Sequence, residues 1–273
     1  MKITFLGTGA SEGIPSMFCS CRVCENARRV GGKEVRSRSG VLINDDLMID
    51  FSSDALLNAV RHGVRYTNVK NVLITHSHSD HLSLEDVLPK RAPQYAGEYK
   101  PLNIYSNSVA LSQIEATHPR AVMNGKLILN ELVIGSTVDV GDYKVTPFRS
   151  IHIEKEESMV FLIEKDDKRY LHLYDTGRVI LDVFLYLKAN EITIDCAVLD
   201  CTYALSKEEF FGHMNLNQIV QACKEFREKG IFNDQTQIYA SHICHWNATH
   251  EELCEEAKKY GIKVAYDGLQ IVI

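Results

Sequence analysis

Residues Thr75–His81 read THSHSDH and directly follow the apolar run NVLI. If the backbone stays extended past Ile74, His76 and His78 project from one side, because side chains two apart share a face of a strand. Two imidazoles presented that way chelate one zinc or manganese ion without further folding. Asp80 and His81 fall where the chain turns, within reach of a second ion. Two ions about 3.5–4 Å apart can share a bridging hydroxide and clamp both the attacking and the leaving oxygen of a phosphoester.

A second ligand-rich stretch, FCSCRVC, places Cys19, Cys21 and Cys24 within six residues. Three thiolates can fill three corners of a tetrahedral zinc. His245, in SHICHWN, is the candidate for the fourth corner, and a closed zinc there would tie the N-terminal loop to a C-terminal one. Cys244 lies beside it and points elsewhere if that loop is extended. The opening FLGTGASEGIP fails as a dinucleotide fingerprint, since Gly7, Gly9 and Gly13 have the wrong last spacing and no helical pattern follows. A phosphate-binding or metal-adjacent turn is left.

Such side chains need a scaffold to hold them. The 273 residues are 45% hydrophobic and 24% charged, the balance of a folded chain. No repeat, low-complexity tract or linker-like shift divides residues 1–273, so one domain is expected. The net charge of −6 argues against broad nucleic-acid binding. One basic segment, with Arg22, Arg28, Arg29, Lys33, Arg36 and Arg38, reads either as a solvated face or as a local attraction for an anionic substrate. No apolar run approaches the roughly 18 residues of a membrane span, and MKITFLG breaks at glycine before a signal-peptide core. The protein is therefore read as cytoplasmic, and its eight cysteines as metal ligands or small buried hydrophobes.

β-rich runs recur as KITFLG, GVLIN, LMIDF, NVLIT, LNIYS, KLILN, LVIG, YKVTPF, MVFLIE, RYLHLYD, CAVLD, TQIYA and KVAYD. Amphipathic patterns predict helices over 54–62, 108–117, 178–188, 215–228 and 249–259. Ser53 or Asp54, Asn215 or Asn217, and Thr249 are the expected caps. Antiparallel-looking strands come early and βα alternation late, which predicts stacked sheets with helices outside.

His-x-His-x-Asp-His after an apolar strand resembles the signature of the metallo-β-lactamase fold. That resemblance implies an α/β, four-layer αββα sandwich with metals at the strand ends and further ligands downstream. A third histidine, a bridging aspartate and a last histidine are matched in order by His152 after YKVTPFRSI, Asp175 in RYLHLYDTG and His242 in QIYASH. The other histidines fit less well: His62 and His250 read as surface residues of helices, His118 precedes Pro119, and His172 reads as a core or supporting residue. Taken with the glycine-rich opening, Cys-x-Cys-x-x-Cys and the terminal His-x-x-His, the motifs resemble the phosphoribosyl cyclic phosphodiesterase family of the carbon–phosphorus lyase pathway. The resemblance implies two catalytic divalent metals, manganese or zinc, a structural zinc, and a small cyclic phosphodiester as substrate. It also implies a histidine in the loop after a strand ending in aspartate, which VLDCTYALSKEEFFGHMN supplies as His213, contacting the phosphate and serving as general acid.

The expected reaction is hydrolysis. Ions held by His76, His78 and His152, and by Asp80, His81 and His242, with Asp175 bridging, would bring a bound water's pKa toward neutrality. His213 would protonate the departing oxygen, and Asp80 counts with it among the residues of the reacting centre. RNA 3′-end processing nucleases share the FLGTG opening, and a relative of the pyrroloquinoline quinone biosynthesis protein B is an alternative of another class. The stretch Leu88–Tyr99, with Lys90, Arg91 and Tyr95, reads as a lid or as an ordinary connection. A homodimer is the default expectation for an enzyme of this size.

Overall fold

The computed structural model describes residues 1–88, 100–179 and 181–273. Lys90, Arg91 and Tyr95, the lid candidates, lie outside the described residues. Strands β1 (Lys2–Gly7), β2 (Gly40–Ile43), β3 (Leu47–Ile49), β4 (Asn71–Leu73), β5 (Leu102–Ser106) and β6 (Leu127–Glu131) belong to one sheet. A second sheet holds β7 (Val138–Val140), β8 (Tyr143–Arg149), β9 (Met159–Lys165), β10 (Lys168–Leu173), β11 (Cys196–Asp200), β12 (Gln237–Ser241) and β13 (Lys263–Val264). The last strand, β14 (Gln270–Val272), returns to the first sheet beside β1.

The two sheets repeat one plan. β1, β2 and β3 pair antiparallel and β3 to β6 parallel; β7 to β10 pair antiparallel and β10 to β13 parallel. Both pairing modes therefore occur in each half of the chain, which corrects the expectation of antiparallel strands early and βα units late. The short crossovers through α2 and α3 already make the first sheet mixed.

The period of two along each strand separates three apolar layers. Ile3, Phe5, Val41, Ile43, Leu47 and Ile49 point inward against Val145, Phe161, Ile163, Tyr170 and Val198 of the other sheet. Their alternates Leu6, Leu42, Met48 and Val72 point outward. The helices are α1 (Arg22–Val30), α2 (Ala55–His62), α3 (Ser108–Thr117), α4 (Pro119–Met123), α5 (Leu181–Ala189), α6 (Leu216–Glu228) and α7 (His250–Lys258). Helices α3 and α4 bury Leu111, Ile114 and Ala121 on the first sheet, whereas α1, α5, α6 and α7 cover Leu162, Leu171, Leu173 and Leu199 of the second. The result is the expected four-layer αββα sandwich, α/β in class.

Asn215 and Thr249 each close a capping box, with Gln218 and Glu252 respectively. At α2 the expected cap fails, because the Asp54 carboxylate is taken by Arg38, Nη2 to Oδ1 2.8 Å, rather than by a helix N–H. LVIG forms no strand; Gly135 has φ +78°, which turns the chain there. β7 and β14, three residues each, were not among the expected strands, although the equally short β3 and β4 fall in the runs LMIDF and NVLIT. No helix among the described residues is long and apolar enough to cross a membrane.

The basic segment is largely engaged within the protein. Arg22 pairs with Glu252, Arg28 with Glu25, and Arg38 with Asp54. Arg36 is buried and donates to Thr8 Oγ1, the Ala265 carbonyl and His250 Nδ1. Lys33 lies over the Tyr266 ring, 4.3 Å from its centroid. These cations hold loops together rather than facing a ligand.

Candidate metal centre

The strands of both sheets run out at one edge of the sandwich, and the candidate ligands sit just past their ends. Three of the residues there, Asp50 after β3, Asp175 after β10 and His242 after β12, have φ of +59°, +48° and +58°. Left-handed backbone costs a non-glycine residue of order 1 kcal/mol, and such strain concentrates where a site demands a particular side-chain direction. Here it turns each side chain from its strand axis toward the gap between the sheets.

Past β4, the chain brings His76 and His78 together with His152, their donor atoms within 4.8 Å of one another. Asp80, His81, Asp175 and His242 form an adjoining group under the same limit, all four buried. Asp175 touches both groups, with Oδ2 3.4 Å from His76 Nε2 and 2.6 Å from His81 Nε2. Asp80 Oδ2 lies 3.2 Å from His81 Nε2 and 3.5 Å from His242 Nε2. Seven residues from distant stretches thus meet, with Asp175 reaching both groups.

Hydrogen bonds on the far sides of the rings fix which nitrogen faces inward. His81 Nδ1 donates to Asp50 Oδ2 at 2.6 Å. Thr75 Oγ1 gives its proton to Asp50 Oδ1 and sits 3.0 Å from His76 Nδ1. Thr202 Oγ1 lies 2.9 Å from His242 Nδ1. The Gly212 carbonyl accepts from His152 Nδ1 at 3.2 Å, so its Nε2 carries a lone pair toward His78 Nδ1, 3.0 Å away.

Inward, several of these atoms make no hydrogen bond of good geometry, although His81 Nε2 lies 2.6 Å from Asp175 Oδ2. His76 Nε2, His81 Nε2, His242 Nε2 and Asp175 Oδ1 are buried with no hydrogen-bond partner among the described residues. A buried polar atom left so costs about 1–3 kcal/mol. A divalent cation in each group would satisfy these atoms, and imidazole and carboxylate donors suit zinc or manganese. The residues present therefore fit a dinuclear centre.

Electrostatics carry the same sign. Burial opposes charge on Asp175, but His242 and His81 hold its carboxyl well below the usual range. At His81 burial opposes the imidazolium and is outweighed by Asp175, Asp50 and Asp80, which push it well above the histidine range. Burial, and then His81, push His76 well down. A cation held by His81 would compete with a proton for the same nitrogen, so its affinity would rise with pH.

His213 approaches from the loop after β11. Its Nδ1 donates to Asp200 Oδ2 at 2.9 Å and lies 3.3 Å from Asp175 Oδ1. Burial opposes its charge, yet Asp200 and Asp175 raise the imidazole to about 11. With Nδ1 so engaged, Nε2 is left for a ligand. Asp200 was not anticipated from the sequence, nor was Asp50. Asp200 also accepts from the backbone of Asp175, Thr202 and Met214. An aspartate closing an otherwise apolar β-rich run, LMID and CAVLD, was the available signal for both.

Cys19, Cys21, Cys24 and His245 also converge, their donor atoms within 4.8 Å of one another. Cys19 Sγ and Cys21 Sγ lie 3.5 and 3.4 Å from His245 Nδ1. Burial opposes ionisation of Cys21, but hydrogen bonds from the Cys24 N–H and from His245 bring its thiol down to about 6, toward the thiolate that binds zinc. Cys244 is buried and lines the catalytic pocket rather than joining this group.

The remaining histidines are placed as follows. His172 is buried between the sheets with Tyr170 OH 3.1 Å from its Nδ1. His118 Nε2 donates to the Leu84 carbonyl. His62 and His250 are half-buried rather than surface residues: Gly268 comes against the His62 ring, and His250 bonds Arg36.

The pocket over the two histidine groups is about 250 Å³ and includes His78, Asp80, His152, Asp175, His213 and His242. A larger cavity of about 510 Å³ shares the Gly212 loop as a wall but holds none of the candidate ligands. Of these two, the smaller pocket is the one lined by the candidate ligands.

Residues 47–243 match the beta-lactamase superfamily domain. The chain belongs to the beta-lactamase superfamily. The match covers the seven converging residues and His213 but not Cys19, Cys21, Cys24 or His245. The fold is that of the superfamily's metal-dependent hydrolases. Zn(2+)-bound PqqB from Methylobacterium extorquens is similar over 100% of both chains at 20% identity with TM-score 0.76. A diphosphatase from the PhnP family is similar over 99% of this chain and 96% of its own at 24% identity, also with TM-score 0.76. An octanoyltransferase of Porphyromonas gingivalis is 25% identical over 100% of this chain but only 52% of its own length, so the chain spans about half of that relative.

Proposed function

We propose that the protein is a dinuclear metal-dependent phosphodiesterase acting on a small cyclic phosphodiester, of the kind formed by a five-membered phosphate ring on ribose. What carries the reading is the inward set of buried, unpartnered His76, His81, His242 and Asp175 atoms, shared through Asp175 and flanked by His213. When bound, manganese or zinc would supply an activated water and charge stabilisation at phosphorus. His76, His78 and His152 would hold one ion, and Asp80, His81 and His242 the other.

The chain's own residues supply the rest. His213, charged through its pairing with Asp200, sits where a phosphoryl oxygen or leaving oxygen would come and can give its Nε2 proton to it. Cys19, Cys21, Cys24 and His245 would hold a separate zinc, anchoring the loop that carries His242. The similarity to a PhnP-family diphosphatase supports phosphoester chemistry, and the similarity to PqqB supports zinc.

The test is a panel of cyclic and linear phosphodiesters, with bis(p-nitrophenyl) phosphate and a pre-tRNA, run on protein loaded with manganese or zinc. Turnover of a ribose cyclic phosphate that stops on chelation is expected. Cleavage of the pre-tRNA alone would transfer the reading to RNA processing, and no turnover of any ester would end it.

A further inference from the structure

The wall of the catalytic pocket away from the ligands is aromatic. Trp246, the single tryptophan of the chain, lines the pocket with Tyr203 and is 61% exposed. Tyr203 and Phe210 have ring centroids 4.2 Å apart, and each lies 5.5 Å from Trp246. The Tyr203 ring also meets His213 edge-on at 5.8 Å. Tyr203 and Trp246 thus continue the pocket wall outward from the candidate proton donor, and Phe210, which lines the neighbouring larger cavity, packs against both.

This surface is built rather than accidental. Asn247, next to Trp246, donates to the Tyr203 carbonyl and accepts from the Leu205 N–H, both at 3.1 Å, so the two loops bearing the rings are fastened to each other. Arg22 holds the Asn247 carbonyl at 3.1 Å. His245, on the other side of Trp246, belongs to the cysteine group. Singly exposed apolar side chains need no explanation, but a fastened cluster of large rings beside a polar reaction centre marks a ligand surface.

We propose that Tyr203 and Trp246, supported by Phe210, form a stacking platform for a nucleobase, so that the phosphodiester cleaved here is a nucleoside phosphodiester. The proposal rests on the phosphodiesterase reading of the same pocket. A phosphate at the histidine groups fixes one end of the substrate, and a base joined through one ribose reaches the rings beyond His213. Stacking accepts any base because each has a π-face. Ser11 and Glu12, from the glycine-rich opening, line the same pocket and offer a hydroxyl and a carboxylate to the polar edge of such a ring. A bare ribose phosphate would use only the metal end.

Trp246 itself reports occupancy, because no other tryptophan contributes to the fluorescence. Titrating the purified protein with adenosine 2′-monophosphate should quench Trp246 saturably, and ribose 5-phosphate at equal occupancy should leave it unchanged. In turnover, Trp246→Ala should raise KM for adenosine 2′,3′-cyclic phosphate about tenfold with kcat nearly constant. It should leave the 2,3-cyclic phosphate of methyl riboside unaffected, and Trp246→Phe should restore most of the loss. Equal quenching by both monophosphates, or an equal KM change for both cyclic esters, overturns the platform. If neither ester is cleaved while adenosine monophosphate still quenches, the platform stands and the hydrolase reading falls. Cleavage of both esters without quenching has the opposite meaning.

Discussion

Asp50 and His213 do different work within one small space. Asp50 accepts hydrogen bonds from His81 Nδ1 and from both the N–H and hydroxyl of Thr75, so it sets the direction of a ligand without offering an atom to the cation. His213 is oriented by Asp200 and faces the pocket. The two should therefore separate in experiment. Asp50→Asn should weaken metal affinity on the order of 10–100-fold, read by competition with a chelator. His213→Ala should keep the full metal content and lower kcat on the order of 10²–10⁴-fold. Unchanged turnover in His213→Ala would remove its assigned role, and unchanged affinity in Asp50→Asn would show that the His81 ring is held by packing alone.

At the scale of elements, the problem is holding loops still at the ends of strands. β10, β11 and β12 are parallel neighbours, so their C-terminal ends deliver Asp175, Asp200 and His242 side by side. The loop after β12 has one further tether, the group of Cys19, Cys21, Cys24 and His245, which joins it to residues more than 220 positions earlier. Cys21→Ser should cost one zinc equivalent by metal analysis. It should also speed amide hydrogen exchange over His242–Asn247, while the capping box at Thr249 keeps α7 protected. Retention of all zinc in the purified variant would count against a closed site.

For the molecule as a whole, one consequence concerns pH. His250 packs under Arg36 with Glu34, Lys33, Cys254 and Tyr266 around it. Burial, then Arg36 and Lys33, push its imidazole down to about 3. An unfolded histidine titrates near 6.5, so between these values the unfolded chain binds the extra proton. Stability is then greatest above pH 6.5 and falls as the pH drops through 6.5 toward 3. Melting temperatures taken at pH 7.5 and pH 5.5 should fall less for His250→Asn than for the wild type when both are stripped of metal. Parallel slopes would clear His250 of the effect.

Much of this was legible in the residues themselves. Period-two alternation is a local property, so long strands such as β8, β9 and β10 and the helices α3, α6 and α7 announce themselves; β7 and β14, which lie at sheet edges and pair with a single neighbour each, do not. His-x-His-x-Asp-His states its chemistry by type and spacing, and the cysteine triplet does likewise. What the tertiary structure alone decided was partnership. Asp50 and Asp200 look like ordinary strand-end carboxylates until the sheets bring His81 and His213 to them, and Tyr203, Phe210 and Trp246 belong together only through the Asn247 clamp. The physical reason is range: spacing along a chain fixes which way neighbouring side chains point, whereas which distant groups lose their water to one another is settled by how the layers pack.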